Sequence, residues 1–284
     1  MTRHPGLSIA ILVALTALPS PAPVAAQEMK SVTISRALTT EKALDVVVTF
    51  GAGELLLRRA DRGTLYALDL RYDERAFVPL ADFDGHRLEV GLETHDRQGN
   101  LDLDDGRSGR LDLRLAPDVP MDLRLKFGAG RSTIDLGGLA LRDLDIETGA
   151  SESELDVSRP NSQVLRRAQL DVGAAEFTAL RLGNLNLERL DVTLGVGDLT
   201  LDFSGALERD IEVTIDMGLG SLELRLPEAV GLRLEKSSFL TSFDTEGFER
   251  RDGVYYSSNW DDASRRIDVT IDAAFGSIRI VRTP

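Results

Sequence analysis

The side chains of this 284-residue chain that could do chemistry are mostly carboxylates: 47 Asp and Glu, against 33 Lys and Arg, three His and no Cys. Without cysteine there is no thiolate nucleophile, thiolate metal site or disulfide. His86 and His95 stand nine residues apart in a strand-and-loop stretch. Joined by a carboxylate they would make a metal site, but two lone surface histidines account for them more simply. Asp102, Asp104 and Asp105 cluster before Gly106 in "LDLDDG". A calcium loop needs more oxygen ligands at set spacing, and an alternating strand ending in a turn explains these three without metal. Asp135, Asp156 and Asp202 fall in one slot, seven residues after a repeated glycine, and Leu180 and Arg225 interrupt that acidic column. A carboxylate pair of glycosidase type is always available on paper, yet most acids here occupy outward positions of alternating strands.

No Gly-x-Ser-x-Gly elbow is present. Gly-x-Gly phrases recur, but a dinucleotide cradle needs a third glycine and a following helix. Strands follow here, and Glu54, Asp198 or Glu223 would repel phosphate. The expected sets of catalytic, cofactor-binding and metal-binding residues are therefore empty. No cofactor is expected, and the chain is expected not to be an enzyme.

The elements that must position these residues are written as a repeat. Placing the first glycine of each phrase in register aligns Gly51, Gly128, Gly149, Gly173, Gly195 and Gly218, with Ala274 in the same slot. The second glycine recurs as Gly53, Gly130, Gly197, Gly220 and Gly276, and is replaced by Ser151 and Ala175 in two phrases. From Gly128 to Gly218 the steps are 21, 24, 22 and 23 residues, a near-constant period that signals stacked units.

Positions five, three and one before the glycine are apolar almost every time, as in Leu190, Val192 and Leu194. Apolar residues resume four and six after it, as in Leu199 and Leu201. Period two means half-buried strands. A unit of about 22 residues cannot bury its own apolar face, so stacking must do it. The expected fold is all-β: a parallel β-solenoid, a β-helix-like stack of about 22-residue rungs. Gly-x-Gly then marks a sharp bend, where absence of a Cβ and tolerance of positive φ are useful. Gly51, Gly53, Gly128, Gly130, Gly149, Gly173, Gly195, Gly197, Gly218, Gly220 and Gly276 form the expected structural column.

Residues 1–26 read as a removable signal helix. Arg3 and His4 precede the twelve-residue apolar run Leu7–Leu18, and Val24 and Ala26 precede a cleavage point. The run is too short for a spanning helix of roughly 20 residues, and no membrane span is expected after cleavage. Removing residues 1–26, which hold one Arg and no acid, takes the net charge from −14 to −15. Such a charge disfavours nucleic acid and anionic membrane surfaces. Expected organisation is 1–26 signal peptide, 27–120 a less regular N-terminal β region, 121–235 regular rungs, and 236–284 an aromatic-rich cap with final strands. The last region holds Phe243, Phe248, Tyr255, Tyr256 and Trp260, which read either as a hydrophobic cap or as a partner surface.

"VVVTFGAGELLL" (46–57), "LDIETGASESELDVSRPN" (144–161) and "MGLGSLELRLPEAVGLRLE" (217–235) resemble the bacterial toast-rack family. The last phrase, with "YYSSNWDDASRRIDVTIDAAFGSIRI", is similar to the C-terminal domain of LiaF-like proteins and to related adhesin-type domains. The resemblance implies a β-solenoid-like stack outside the cytoplasmic membrane and offers no catalytic residue. LiaF-like proteins act in sensing envelope damage and carry membrane helices, a feature this chain lacks beyond residues 1–26. The expectation is an exported, non-catalytic protein of the periplasm or cell surface. It presents a stacked β surface to a protein or envelope component for binding or scaffolding, linked to envelope stress or adhesion. The alternatives are a β-helix enzyme acting on acidic polysaccharide, and self-association through exposed end rungs.

Overall fold

The computed structural model describes residues 29–94, 109–243 and 247–284. The signal-peptide segment, His95 and the Asp102, Asp104, Asp105 cluster lie outside these described residues. Within them the chain is all-β, with one short 3-10 turn at Leu182–Leu185. No helix among the described residues is long and apolar enough to cross a membrane.

Fifteen strands form one mostly parallel, open sheet. They are β1 (Met29–Ala37), β2 (Leu44–Arg59), β3 (Thr64–Asp73), β4 (Phe77–Phe83), β5 (Arg87–Thr94), β6 (Gly109–Leu115), β7 (Pro120–Asp135), β8 (Ala140–Asp156), β9 (Leu165–Leu180), β10 (Leu187–Asp202), β11 (Ile211–Pro227), β12 (Gly231–Phe243), β13 (Phe248–Arg251), β14 (Val254–Ser257) and β15 (Arg266–Thr283). The order across the sheet is β1-β3-β6-β2-β7-β8-β9-β10-β11-β15-β12-β14-β13.

The long strands have two limbs. In β10, Leu190, Val192 and Leu194 are buried, and burial resumes at Leu199 and Leu201. Leu194 and Leu199 are five apart, an odd interval, so a flat strand would put them on opposite faces. Both face the core because the chain bends between them, and Gly197 at φ +137° takes the reversal. In β8 and β9 the same slot holds Ser151 and Ala175, which are buried and do not need positive φ.

Bent strands stacked in register enclose a continuous Leu/Val/Ile core. Phe50 and Phe127 stack with ring centroids 6.2 Å apart, joining β2 to β7 through the core. Each fully buried Leu, Val or Phe contributes roughly 1.5–3 kcal/mol. Outward charges pair between neighbouring strands, as in Arg142–Asp122 at 2.7 Å and Arg189–Glu212 at 2.6 Å. Exposed pairs of this kind contribute little individually.

Strand order departs from chain order twice. After β2 the chain lays β5 on its first limb (Asp45–Phe50 beside Arg87–Leu92) and β6 on its second (Gly53–Arg59 beside Gly109–Leu115). It then returns as β7 on the opposite edge of β2. At the other end β12 leaves one slot open beside β11, and β15 fills it with parallel pairing on both sides. Residues 236–243, which break the glycine repeat in sequence, therefore continue the parallel ladder. Their pattern is hidden because Thr241 stands where Gly276 stands in β15, and Lys236 and Ser238 stand opposite Ile271 and Ala273.

Candidate functional site

The eleven glycines of the repeat all lie at the bend, where neighbouring backbones meet. A Cβ at Gly128 would stand 2.2 Å from the Gly51 carbonyl oxygen, and one at Gly149 2.3 Å from that of Gly128. Gly173, Gly195 and Gly218 continue the series, at 3.1, 2.8 and 2.5 Å from the carbonyl oxygen of the preceding first glycine. In the second column a Cβ at Gly130 would meet the Gly53 oxygen at 2.1 Å, and one at Gly197 the Ala175 oxygen at 1.9 Å. For Gly220 and Gly276 the distances are 1.7 Å to Gly197 and 1.8 Å to Gly220, and for Gly53 2.0 Å to Gly109. For ten of the eleven, all but Gly51, a neighbour's carbonyl oxygen fills the space the glycine leaves.

The aspartates seven residues after the glycine have structural partners. Asp135 accepts hydrogen bonds from the backbone N–H of Gly137 at 2.8 Å and the Ser158 hydroxyl at 2.9 Å. Asp156 pairs with Arg181, and Asp202 accepts from the Ser204 N–H at 2.8 Å. They hold turns. Beside them runs a buried amide ladder. Asn161 accepts from the Leu141 N–H at 2.9 Å and donates to the carbonyls of Leu141, Gln163 and Leu185. Asn184 donates to the Val157 carbonyl and accepts from the Ala206 N–H, both at 2.8 Å.

Burial, and then the nearby Asp171 carboxylate, raise the Asp145 carboxyl above its ordinary range. A raised carboxylate stabilises the fold only while protonated, and its charged form costs stability as pH rises through the folded-state pKa. Asp145→Asn is expected to raise the melting temperature at pH 7, with the gain vanishing near pH 4. Thermal unfolding of both proteins across that range measures it.

The aromatic residues near the C-terminus divide into two groups, because successive residues of β14 point to opposite faces. Phe243, Phe248 and Tyr255 pack together against the core, with Phe243 5.2 Å from Tyr255 and 6.3 Å from Phe248. Phe243 and Phe248 also line an open cleft of about 740 Å³ beside Ile280. Tyr256 and Trp260 meet edge-on at 5.6 Å, with Arg251 over the first ring and Arg266 over the second. His86 sits in an exposed turn with its Nδ1 3.3 Å from Asp84. Among the described residues no three His, Cys, Asp or Glu converge as a metal-binding set.

Between the two glycines stands a residue that the inward apolar pattern does not mark. It is buried in β2, as Ala52, but points outward in the later strands and there becomes large and apolar: Val196, Leu219 and Phe275 are 50%, 51% and 44% exposed. Leu240 in β12 joins this row at 62% exposure, opposite Phe275. The signal for the first three was the middle letter of each phrase; for Leu240 there was none, since β12 lacks the glycines.

The family model for the N-terminal domain of toast_rack, DUF2154, matches residues 23–178 and, in a second match, residues 161–225. No curated protein matches the chain. Among solved structures, a candidate cell adhesion protein from Clostridium sporogenes is 16% identical, with 90% of this chain and 100% of that one covered and a TM-score of 0.44. A candidate adhesin from Bacteroides fragilis is 11% identical over 89% and 97%, with a TM-score of 0.36. A candidate lipid binding protein from Parabacteroides distasonis is 11% identical over 90% and 97%, with a TM-score of 0.25.

Proposed function

We propose, from the premise that this chain belongs to the toast_rack N-terminal domain family, DUF2154, that it is an exported, non-catalytic binding scaffold of the bacterial envelope. The observation that carries the reading is the parallel ladder. From β2 through β7–β11, β15 and β12 it repeats one bent cross-section and presents the same outward positions at each level. We read the ladder as a β-solenoid of about 22-residue rungs behind a cleaved signal peptide, with β1 and β3–β6 at one end and β13–β14 at the other as its less regular parts. Stacked surfaces of this kind serve extended contacts with a protein or envelope component, in adhesion or in the response to envelope stress.

Two measurements test it. N-terminal sequencing of the exported protein should begin at Gln27. The purified chain should bind an envelope fraction saturably while leaving a panel of acidic polysaccharides intact. Measurable polysaccharide turnover would replace the scaffold with an enzyme.

A further inference from the structure

We infer that the outward apolar ridge at the bend of the last strands is a docking site for a basic amphipathic helix of another polypeptide. The residues at the middle of the bend enlarge along the stack. Ala129, Ala150 and Ala174 occupy the earlier strands, followed by Val196, Leu219, Phe275 and Leu240. Phe239, 77% exposed, stands beside Phe275 with ring centroids 5.9 Å apart. These five make up most of the large apolar side chains that are exposed among the described residues.

Charge also changes along the stack. Two outward rows flank the bend. Between β7 and β8 the flanking acids are neutralised, by Lys126–Glu147 and Arg131–Glu152 at 2.7 Å each. From β9 onward four flanking acids stand outside any ion pair. Asp216 lies directly beside Asp272 on one flank, level with Leu219 and Phe275; on the other flank Glu176 lies beside Asp198, level with Ala174 and Val196, and Ser221 and Ser277 follow. All four are exposed, and none is in an ion pair among the described residues. Like charges set directly opposite on neighbouring strands are destabilising, and a partner's cations would relieve them. A groove of about 590 Å³, bounded by Phe239, Met217, Asp216 and Asp272, runs along one flank and has room for the apolar stems of Lys or Arg.

The spacing selects a helix. Neighbouring strands in a sheet lie roughly 4.8 Å apart. A helix laid along the stack repeats its apolar stripe at about 5.4 Å per turn and stays in step over three or four strands. An extended strand repeats one face at roughly 6.7 Å and falls out of step at once. Basic residues on one side of the helical stripe would meet Asp216 and Asp272, and one on the other side, at the Val196 end, would meet Glu176 and Asp198. A second copy of this chain would bring acid against acid, and an anionic membrane would be repelled.

This rests on the binding-scaffold reading and narrows it to one surface. The probe is an 18-residue Leu/Lys peptide with leucines at i, i+3, i+4 and i+7, titrated against the full chain by fluorescence anisotropy. Controls are a scrambled peptide of equal composition and a Leu/Glu counterpart. Binding of the Leu/Lys helix alone is expected, weakened at least tenfold by Leu219→Ser with Phe275→Ser. Asp216→Asn with Asp272→Asn, and raised salt, should each weaken it severalfold. All four sites are exposed, and circular dichroism confirms that the variants fold. Equal binding of the scrambled peptide, or full binding by the ridge variant, overturns the assignment. So does concentration-dependent self-association of the chain that the ridge variant abolishes. Each of these outcomes leaves the scaffold reading to its own test, saturable binding of the envelope fraction.

Discussion

Replacing Gly197 by alanine is expected to destabilise the protein by about 4 kcal/mol. The residue sits at φ +137°, and its Cβ would stand 1.9 Å from the Ala175 carbonyl oxygen and 2.9 Å from the Ala175 carbonyl carbon. Positive φ alone costs a residue with a side chain roughly 1–2 kcal/mol. The contact is with backbone, so no side chain can swing away. Strands β9 and β10 must separate at the bend, losing ladder hydrogen bonds of about 1 kcal/mol each and opening the core at Leu194 and Leu199. For a chain of this size the melting temperature should fall by roughly 10 °C. Gly63→Ala is the control. It has φ +85° with nothing within 4 Å of the added Cβ, so it should cost only about 1 kcal/mol. Denaturant unfolding of the two variants measures the difference. Equal losses would mean that close approach of the backbones at the bend is energetically unimportant.

Asn161→Ala is expected to cost about 3 kcal/mol. Asn161 is 5% exposed, and its amide serves five backbone groups on three successive levels of the stack. Removing it leaves the Leu141 and Gln163 N–H groups and three carbonyls short of a partner, and each unsatisfied buried group costs roughly 1–3 kcal/mol before relaxation or water entry. Asn184→Ala removes two such bonds and should cost about half as much. Asn161→Asp adds a pH signature. Its carboxylate would face carbonyl oxygens where the amide now donates, so the folded-state pKa must lie above the ordinary value of about 3.9. Stability of that variant should therefore be highest below pH 4 and fall as pH rises through the folded-state value. A flat profile between pH 4 and 7 would show that water, rather than the side-chain amide, joins these turns.

Much of this architecture is legible in the order of residues. Alternation such as Leu190, Val192, Leu194 is a local property, since strand geometry sends successive side chains to opposite faces. The odd interval to Leu199 already requires the chain to bend. The all-β class follows from this pattern, because each strand has an apolar face that only neighbouring strands can cover. Partner choice is not local. Nothing in the sequence of β15 says that it enters between β11 and β12, or that β5 and β6 share β2 between its two limbs. Any strand with the same inward pattern fits any edge of a parallel ladder, so connection lengths and the core as a whole decide the order. That order alone sets Val196, Leu219, Phe275 and Leu240 side by side, though Phe275 is 56 residues from Leu219 in the chain and Leu240 lies between them. The ridge and its acidic flanks are therefore products of tertiary pairing, while the bends that carry them are already written in the glycines.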